Sequence, residues 1–199
     1  MPESPENCPA SPASQAPGQV RQNAETGPPR RIVLTGFMGS GKSTIGRLLA
    51  RQLRWRFIDA DAEIERAAGA SIPEIFSRQG ESWFRELEHR TIAQLLDTPQ
   101  MILALGGGAI EDERTRRLLL QSRETRLVHL EASLETVLKR CSGTDAFRPV
   151  LADRANLQAR FELRLPLYRQ AHLTLPVDSH PPYVIINAIL THAELTPAL

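Results

Sequence analysis

The sequence predicts an α/β domain built on a central parallel sheet of five strands, with helices on both faces. Three observations support this. Five short apolar runs recur along the chain, starting at Arg31, Arg56, Met101, Thr125 and Leu173. The stretches between them carry apolar residues at three- and four-residue spacing, the stripe of a helix that buries one face. Strands that alternate with helices are joined by crossovers, which makes neighbouring strands parallel and covers the sheet.

The elements follow in order. Arg31–Thr35 is a buried strand that runs into glycine. Ile45, Leu48, Leu49 and Leu53 mark a helix over Ser43–Leu53, and Arg56–Ile58 is a second strand ending before Asp59 and Asp61. Ala62–Ala68 and Ile72–Gln79 read as helices, the second capped by Ser71 with Pro73 in its first turn. A longer helix covers Trp83–Leu96 and stops before Pro99. Met101–Leu105 is a third strand, leading into three glycines. Asp112–Gln121 is a helix, Thr125–Leu130 a strand and Leu134–Cys141 a helix. Residues 142–153 are loop-like, Leu157–Arg169 is a helix, Leu173–Val177 the last strand and Pro182–Leu190 the closing helix.

Composition bounds the rest. The 199 residues are 41% hydrophobic, enough for one domain with a core. Residues 1–30 hold seven of the 15 prolines, and their only large apolar side chains are Met1 and Val20. Such a segment cannot offset its ordering entropy and is expected to be a disordered tail; it has neither the apolar stretch of a secretory signal nor the acid-poor character of a transit peptide. The domain is therefore expected over residues 31–199. A net charge of +1 provides no bulk attraction to nucleic acid or an anionic membrane. Cys8 and Cys141 have no metal-ligand or disulfide pattern, which suits a reducing cytoplasm. No apolar run nears the roughly 20 residues of a membrane span.

Gly36-Phe-Met-Gly-Ser-Gly-Lys-Ser43 matches the phosphate-binding loop G-x-x-x-x-G-K-[ST]. Its glycines let successive N–H groups face phosphate oxygens, and the following helix adds its positive end. Lys42 is placed for the β- and γ-phosphates, and the Ser43 hydroxyl for Mg²⁺. Of 24 basic residues only Lys42 and Lys139 are lysine, so a lysine at this position stands out. Asp59 and Asp61 project to one side if the chain stays extended. There they could hold Mg²⁺ and orient an acceptor hydroxyl; the plainer reading makes Asp61 a helix cap. Gly106-Gly107-Gly108 exceeds what a tight turn needs and would let a ligand approach the backbone. Arg85, Arg148 and Arg164 could fork a carboxylate or phosphate, although 22 arginines make surface solvation the default for any one of them.

Together these residues resemble the shikimate kinase family. The matching set runs in order over about residues 31–178: the loop through Thr44, Asp59-x-Asp61, Phe84-Arg85-x-x-Glu88, Leu105-Gly-Gly-Gly-Ala109, Arg148-Pro149 and Arg164-x-x-x-Tyr168-Arg169. The resemblance implies a P-loop kinase fold with a substrate-binding segment at about 61–96 and a mobile lid at about 141–153. It implies ATP and shikimate as substrates, Mg²⁺ as cofactor and a cytoplasmic monomer. Gly39, Ser40, Gly41, Lys42, Ser43 and Thr44 would bind ATP, with Arg140 against the adenine. Ser43 and, through water, Asp59 would hold the metal. Asp61 would act as base, and Arg148 from the lid would neutralise the moving phosphoryl group. Arg85, Arg164 and Gly106 to Gly108 would bind shikimate. Two other readings stay open: a P-loop kinase acting on gluconate or a nucleoside monophosphate, and a catalytically silent binding protein on the same fold.

Overall fold

The computed structural model describes residues 28–141 and 154–195. The expected tail lies outside them except for residues 28–30, and the expected lid lies outside them except for Cys141. The elements are β1 (Arg31–Thr35), α1 (Lys42–Leu53), β2 (Arg56–Asp59), α2 (Ala60–Ala68), α3 (Ile72–Leu95), β3 (Met101–Ala104), a short 3-10 turn (Ala109–Glu111), α4 (Glu113–Gln121), β4 (Thr125–Glu131), α5 (Leu134–Cys141), α6 (Arg154–Tyr168), β5 (Leu173–Pro176) and α7 (Pro182–His192).

The five strands form one sheet in the order β2-β3-β1-β4-β5. Every pairing is parallel; Ile32 lies beside Ile102 on one side and Arg126 on the other. All five residues of β1 and all four of β3 are buried. Alternating side chains point to opposite faces, so burial of every residue means that both faces are covered. This is why these strands read as unbroken apolar runs. The edge strands β2 and β5 are only partly buried.

Because all strands run one way, their carboxyl ends share one rim. The phosphate loop follows β1, Asp59 ends β2, the glycine triplet follows β3, and Val177 follows β5. At the opposite rim Arg31 ties the sheet down, donating from Nη1 to Glu124 at 3.0 Å and from Nε to the Thr98 carbonyl at 3.1 Å.

The segment after β2 differs from the expectation. Helix α2 starts at Ala60, so Asp59 is its cap and accepts from the Asp61 N–H at 3.2 Å. Neither the extended pair nor the Asp61 cap is found. The two helices expected over 72–79 and 83–96 run together as α3, interrupted only by Gly80 at φ 80° and ψ 173°. A single left-handed residue, which glycine adopts without strain, is the whole gap. Ser71 caps α3 as expected, with Glu74 reaching back to its N–H at 2.9 Å. Ile64, Ile75 and Phe84 form a small core of their own between α2 and α3, apart from the large core around the sheet.

Helix α1 is pressed onto β2 through Gly46. A Cβ there would stand 2.5 Å from Phe57 Cε2 and 3.3 Å from Leu34 Cδ1. Alanine favours a helix over glycine by up to ~1 kcal/mol, but forcing a methyl into a packed interface costs about 1–3 kcal/mol. Gly46→Ala is therefore expected to lower stability by about 1–2 kcal/mol in denaturant unfolding. An unchanged or raised midpoint would show that the helix moves aside freely.

Candidate active site

The phosphate loop is shaped by backbone that only glycine adopts easily. Gly36, Gly39 and Gly41 have φ of 144°, 72° and 96°, and a Cβ on Gly36 would lie 2.5 Å from the Leu130 carbonyl. Gly41 precedes the first turn of α1, which carries Lys42, Ser43 and Thr44. The Lys42 amine curls back over the loop and donates to the carbonyls of Gly36 at 2.8 Å and Phe37 at 3.1 Å. Burial pushes its pKa down to about 8, against the pull of Asp61 and Asp59. Beside the loop lies a cavity of about 400 Å³. Its floor is Gly39, Gly41 and Thr44, and Ile45, Val177 and Ile185 supply apolar walls. Arg140 and His180 also line it. The Arg140 guanidinium donates to the Gly39 carbonyl at 3.1 Å and the Val177 carbonyl at 3.3 Å.

Across the loop, Ser43 Oγ donates to Asp59 Oδ2 at 3.0 Å, so a hydroxyl and a carboxylate sit together where α1 begins. These are hard oxygen donors of the kind Mg²⁺ takes. Among the described residues no group of three or more His, Cys, Asp or Glu could hold a metal, which excludes there a cage built from those side chains alone. Asp61, in the first turn of α2, is half-buried against Gly106. Burial, then the neighbouring Asp59, raises its pKa, and Lys42 opposes the shift.

The glycine triplet meets Asp61, Arg164 and Arg85 one after another. A Cβ on Gly106 would run into Asp61 Oδ1 and stand 3.2 Å from Glu88 Oε1. One on Gly107 would lie 3.6 Å from Arg164 Nη1, and one on Gly108 only 2.6 Å from Arg85 Nη2. None of the three has positive φ. Gly106 and Gly108 are bare so that Asp61 and Arg85 can lie on the backbone, whereas a Cβ on Gly107 would make only ordinary contact with Arg164; the turn itself requires none of the three.

Each arginine is held by an acid. Arg85 donates to buried Glu88 at 2.7 Å and to Glu81 at 3.3 Å. Arg164 donates from Nε to Glu111, and its guanidinium lies 5.8 Å from the centre of the Phe37 ring. Burial raises Glu88 to about 7 even though Arg85 opposes the shift. Tyr168 donates to the Gly107 carbonyl at 2.6 Å, pinning the triplet from α6, and His129 stacks on its ring at 5.0 Å. Burial holds His129 near 4, so it is neutral at ordinary pH.

The structure thus gathers Lys42, Ser43, Asp59, Asp61, Arg85, Arg164 and Gly106 to Gly108 at one rim. Arg148 lies outside the described residues. Two groups were not foreseen. Glu111 had no signal, because its partner is 53 positions away. The Tyr168 hydroxyl stood inside a matched motif without an assigned task.

The shikimate kinase family model matches residues 38–194. A shikimate kinase from Persephonella marina is 42% identical over 162 residues, covering 81% of this chain and 97% of that protein. One from Pseudomonas entomophila is 44% identical over 172 residues, covering 84% and 98%. Among solved structures, shikimate kinase from Acinetobacter baumannii in complex with shikimate superposes with a TM-score of 0.75, at 37% identity over 82% of this chain and 92% of that one. With the parallel sheet, the phosphate loop and the glycine-backed arginines in place, these matches show that the chain belongs to the shikimate kinase family.

Proposed function

We propose that the chain transfers the γ-phosphoryl group of ATP to the 3-hydroxyl of shikimate, giving shikimate 3-phosphate and ADP, a step toward chorismate and the aromatic amino acids. The observation that carries this reading is the glycine triplet. It sets two guanidiniums and one carboxylate against three successive residues, and Asp61 and Arg164 among these lie within electrostatic reach of Lys42. An acceptor with one carboxylate and several hydroxyls needs that combination. Gluconate or nucleoside monophosphate kinases would not need two arginines on one carboxylate, and the placement of Arg164 beside Gly107 and Arg85 beside Gly108 disfavours them.

In this reading Gly39 to Thr44 hold the phosphates of ATP, and the apolar cavity beside them receives the base, with Arg140 and His180 along its lining. Lys42 releases the Gly36 and Phe37 carbonyls and turns to the β- and γ-phosphates. Ser43 and Asp59 would hold Mg²⁺, which would supply positive charge against the phosphates. Asp61 orients the 3-hydroxyl and accepts its proton, and burial suits it to that task. Arg85 and Arg164 fix the carboxylate. Arg148 completes the charge neutralisation from a lid over residues 141–153. The enzyme acts as a cytoplasmic monomer, without nucleic acid or membrane as partner; among the described residues no helix is long and apolar enough to cross one.

The test is a coupled assay for ADP release with ATP, Mg²⁺ and shikimate. Shikimate-dependent turnover is expected. ATP binding without turnover on shikimate would overturn the reading.

A further inference from the structure

The Glu111 carboxylate pairs with Arg164 and lies within electrostatic reach of Arg85. It is the last residue of the 3-10 turn that follows the glycine triplet, and its backbone is fixed at both ends. Its N–H donates to the Gly108 carbonyl at 2.9 Å, and its own carbonyl accepts from Arg116 Nη1 at 2.9 Å. From this platform its side chain takes the Nε edge of Arg164. The terminal nitrogens of the same guanidinium are left toward the triplet, where Nη1 approaches Gly107. A guanidinium offers five N–H donors in a planar fork, so holding one edge aims the other. Glu111 also lines a cleft of about 380 Å³ with Arg85, Glu81, Ser82 and Asp112.

We propose that Glu111 is a positioning residue for acceptor recognition: it grips the Nε edge of Arg164 and presents the terminal nitrogens to the carboxylate of the acceptor. The proposal rests on the acceptor reading given above and deepens it. Arg164 is on α6, and Glu111 is on the turn after β3. Their contact therefore keeps the arginine in register with the glycine backbone on which the acceptor lies. Without it, an arginine regains several rotamers, of which one is productive.

The experiment compares wild type, Glu111→Ala and Glu111→Gln, with shikimate and with its methyl ester as acceptors. In Glu111→Ala the KM for shikimate is expected to rise about tenfold, the scale on which freed rotamers dilute one orientation. The KM for ATP and the kcat should stay within about twofold of wild type, since the donor half is untouched. The preference for acid over ester should shrink by a similar factor, because the ester offers the arginine no charge. Glu111→Gln keeps an oxygen for Nε and should recover most of the loss; Glu111→Ser, too short to reach Nε, is expected to show the same rise as alanine and serves as the test if the alanine variant does not fold. An unchanged or lower KM for shikimate would overturn the proposal, the latter showing Glu111 to be a competitor for the fork. An equal fall in activity toward acid and ester would overturn it too, as general loss of structure. Wild type that fails to use shikimate defeats the functional reading, and this proposal with it. Wild type that works beside an indifferent Glu111→Ala defeats only the proposal.

Discussion

Asp61→Asn should retain ATP binding and lose about 10²- to 10⁴-fold in turnover, the range for removing a positioned proton acceptor. The side chain is half-buried between Gly106 and the phosphate loop, and asparagine has nearly its shape. What asparagine lacks is the charge and the ability to take a proton. The same variant should be more stable than wild type at neutral pH. Burial and Asp59 raise the pKa of Asp61 in the folded state, so the folded protein binds this proton more tightly than the unfolded chain does. Stability from this group is therefore lost as pH rises through the shifted value, because the folded protein holds the charged carboxylate less well than the unfolded chain does. Asparagine removes that penalty. Turnover from the coupled assay, ATP affinity by titration and the thermal midpoint check the three parts. Near-normal turnover would remove Asp61 from the mechanism.

Gly106→Ala tests the close approach directly, with a single methyl group. Backbone strain is not at issue, because Gly106 does not have positive φ. The added Cβ would collide with Asp61 Oδ1 and crowd Glu88 Oε1 at 3.2 Å. The Asp61 side chain is short and rooted in the first turn of α2, so it can yield only by turning away from the acceptor. A displacement of about 1 Å at a reacting group can cost about 10²-fold in rate, and that loss in kcat is expected here. The stability cost should be modest, about 1–3 kcal/mol. Gly107→Ala is the internal comparison. Its Cβ would find Arg164 Nη1 at 3.6 Å, an ordinary contact, and the effect should be far smaller. Equal activity in the two variants would show that the triplet does not position Asp61.

The parallel sheet was legible because its central strands are buried on both faces, which leaves long apolar runs such as Arg31–Thr35 and Met101–Leu105. The phosphate-loop motif was legible because it is contiguous: eight residues hold the glycines, the lysine and the hydroxyl. Gly80 marked a break, but not that the break is one residue wide, since propensity does not say whether a helix resumes at once. Asp59 and Asp61 were the harder pair. Strand alternation and helix capping both suited them, and hydrogen bonding to the free N–H of Asp61 decided that Asp59 is the cap. Glu111 could not be found at all. Spacing reveals neighbours along a strand or helix, but Arg164 reaches Glu111 only after α6 docks on the turn beyond β3.

The separate small core of Ile64, Ile75 and Phe84 has a consequence for how such a molecule can change. The groups that would hold the nucleotide are anchored in the large core, where any adjustment must be accommodated by the whole sheet. Arg85 is carried by the helix pair around the small core, and Asp61 opens the first helix of that pair. Substitutions there can redraw the acceptor half while the sheet and its phosphate loop stay as they are. The surroundings of Arg85 can thereby drift without disturbing the sheet, whereas Asp61 ties the same helix pair to the phosphate loop and limits how far that drift can go.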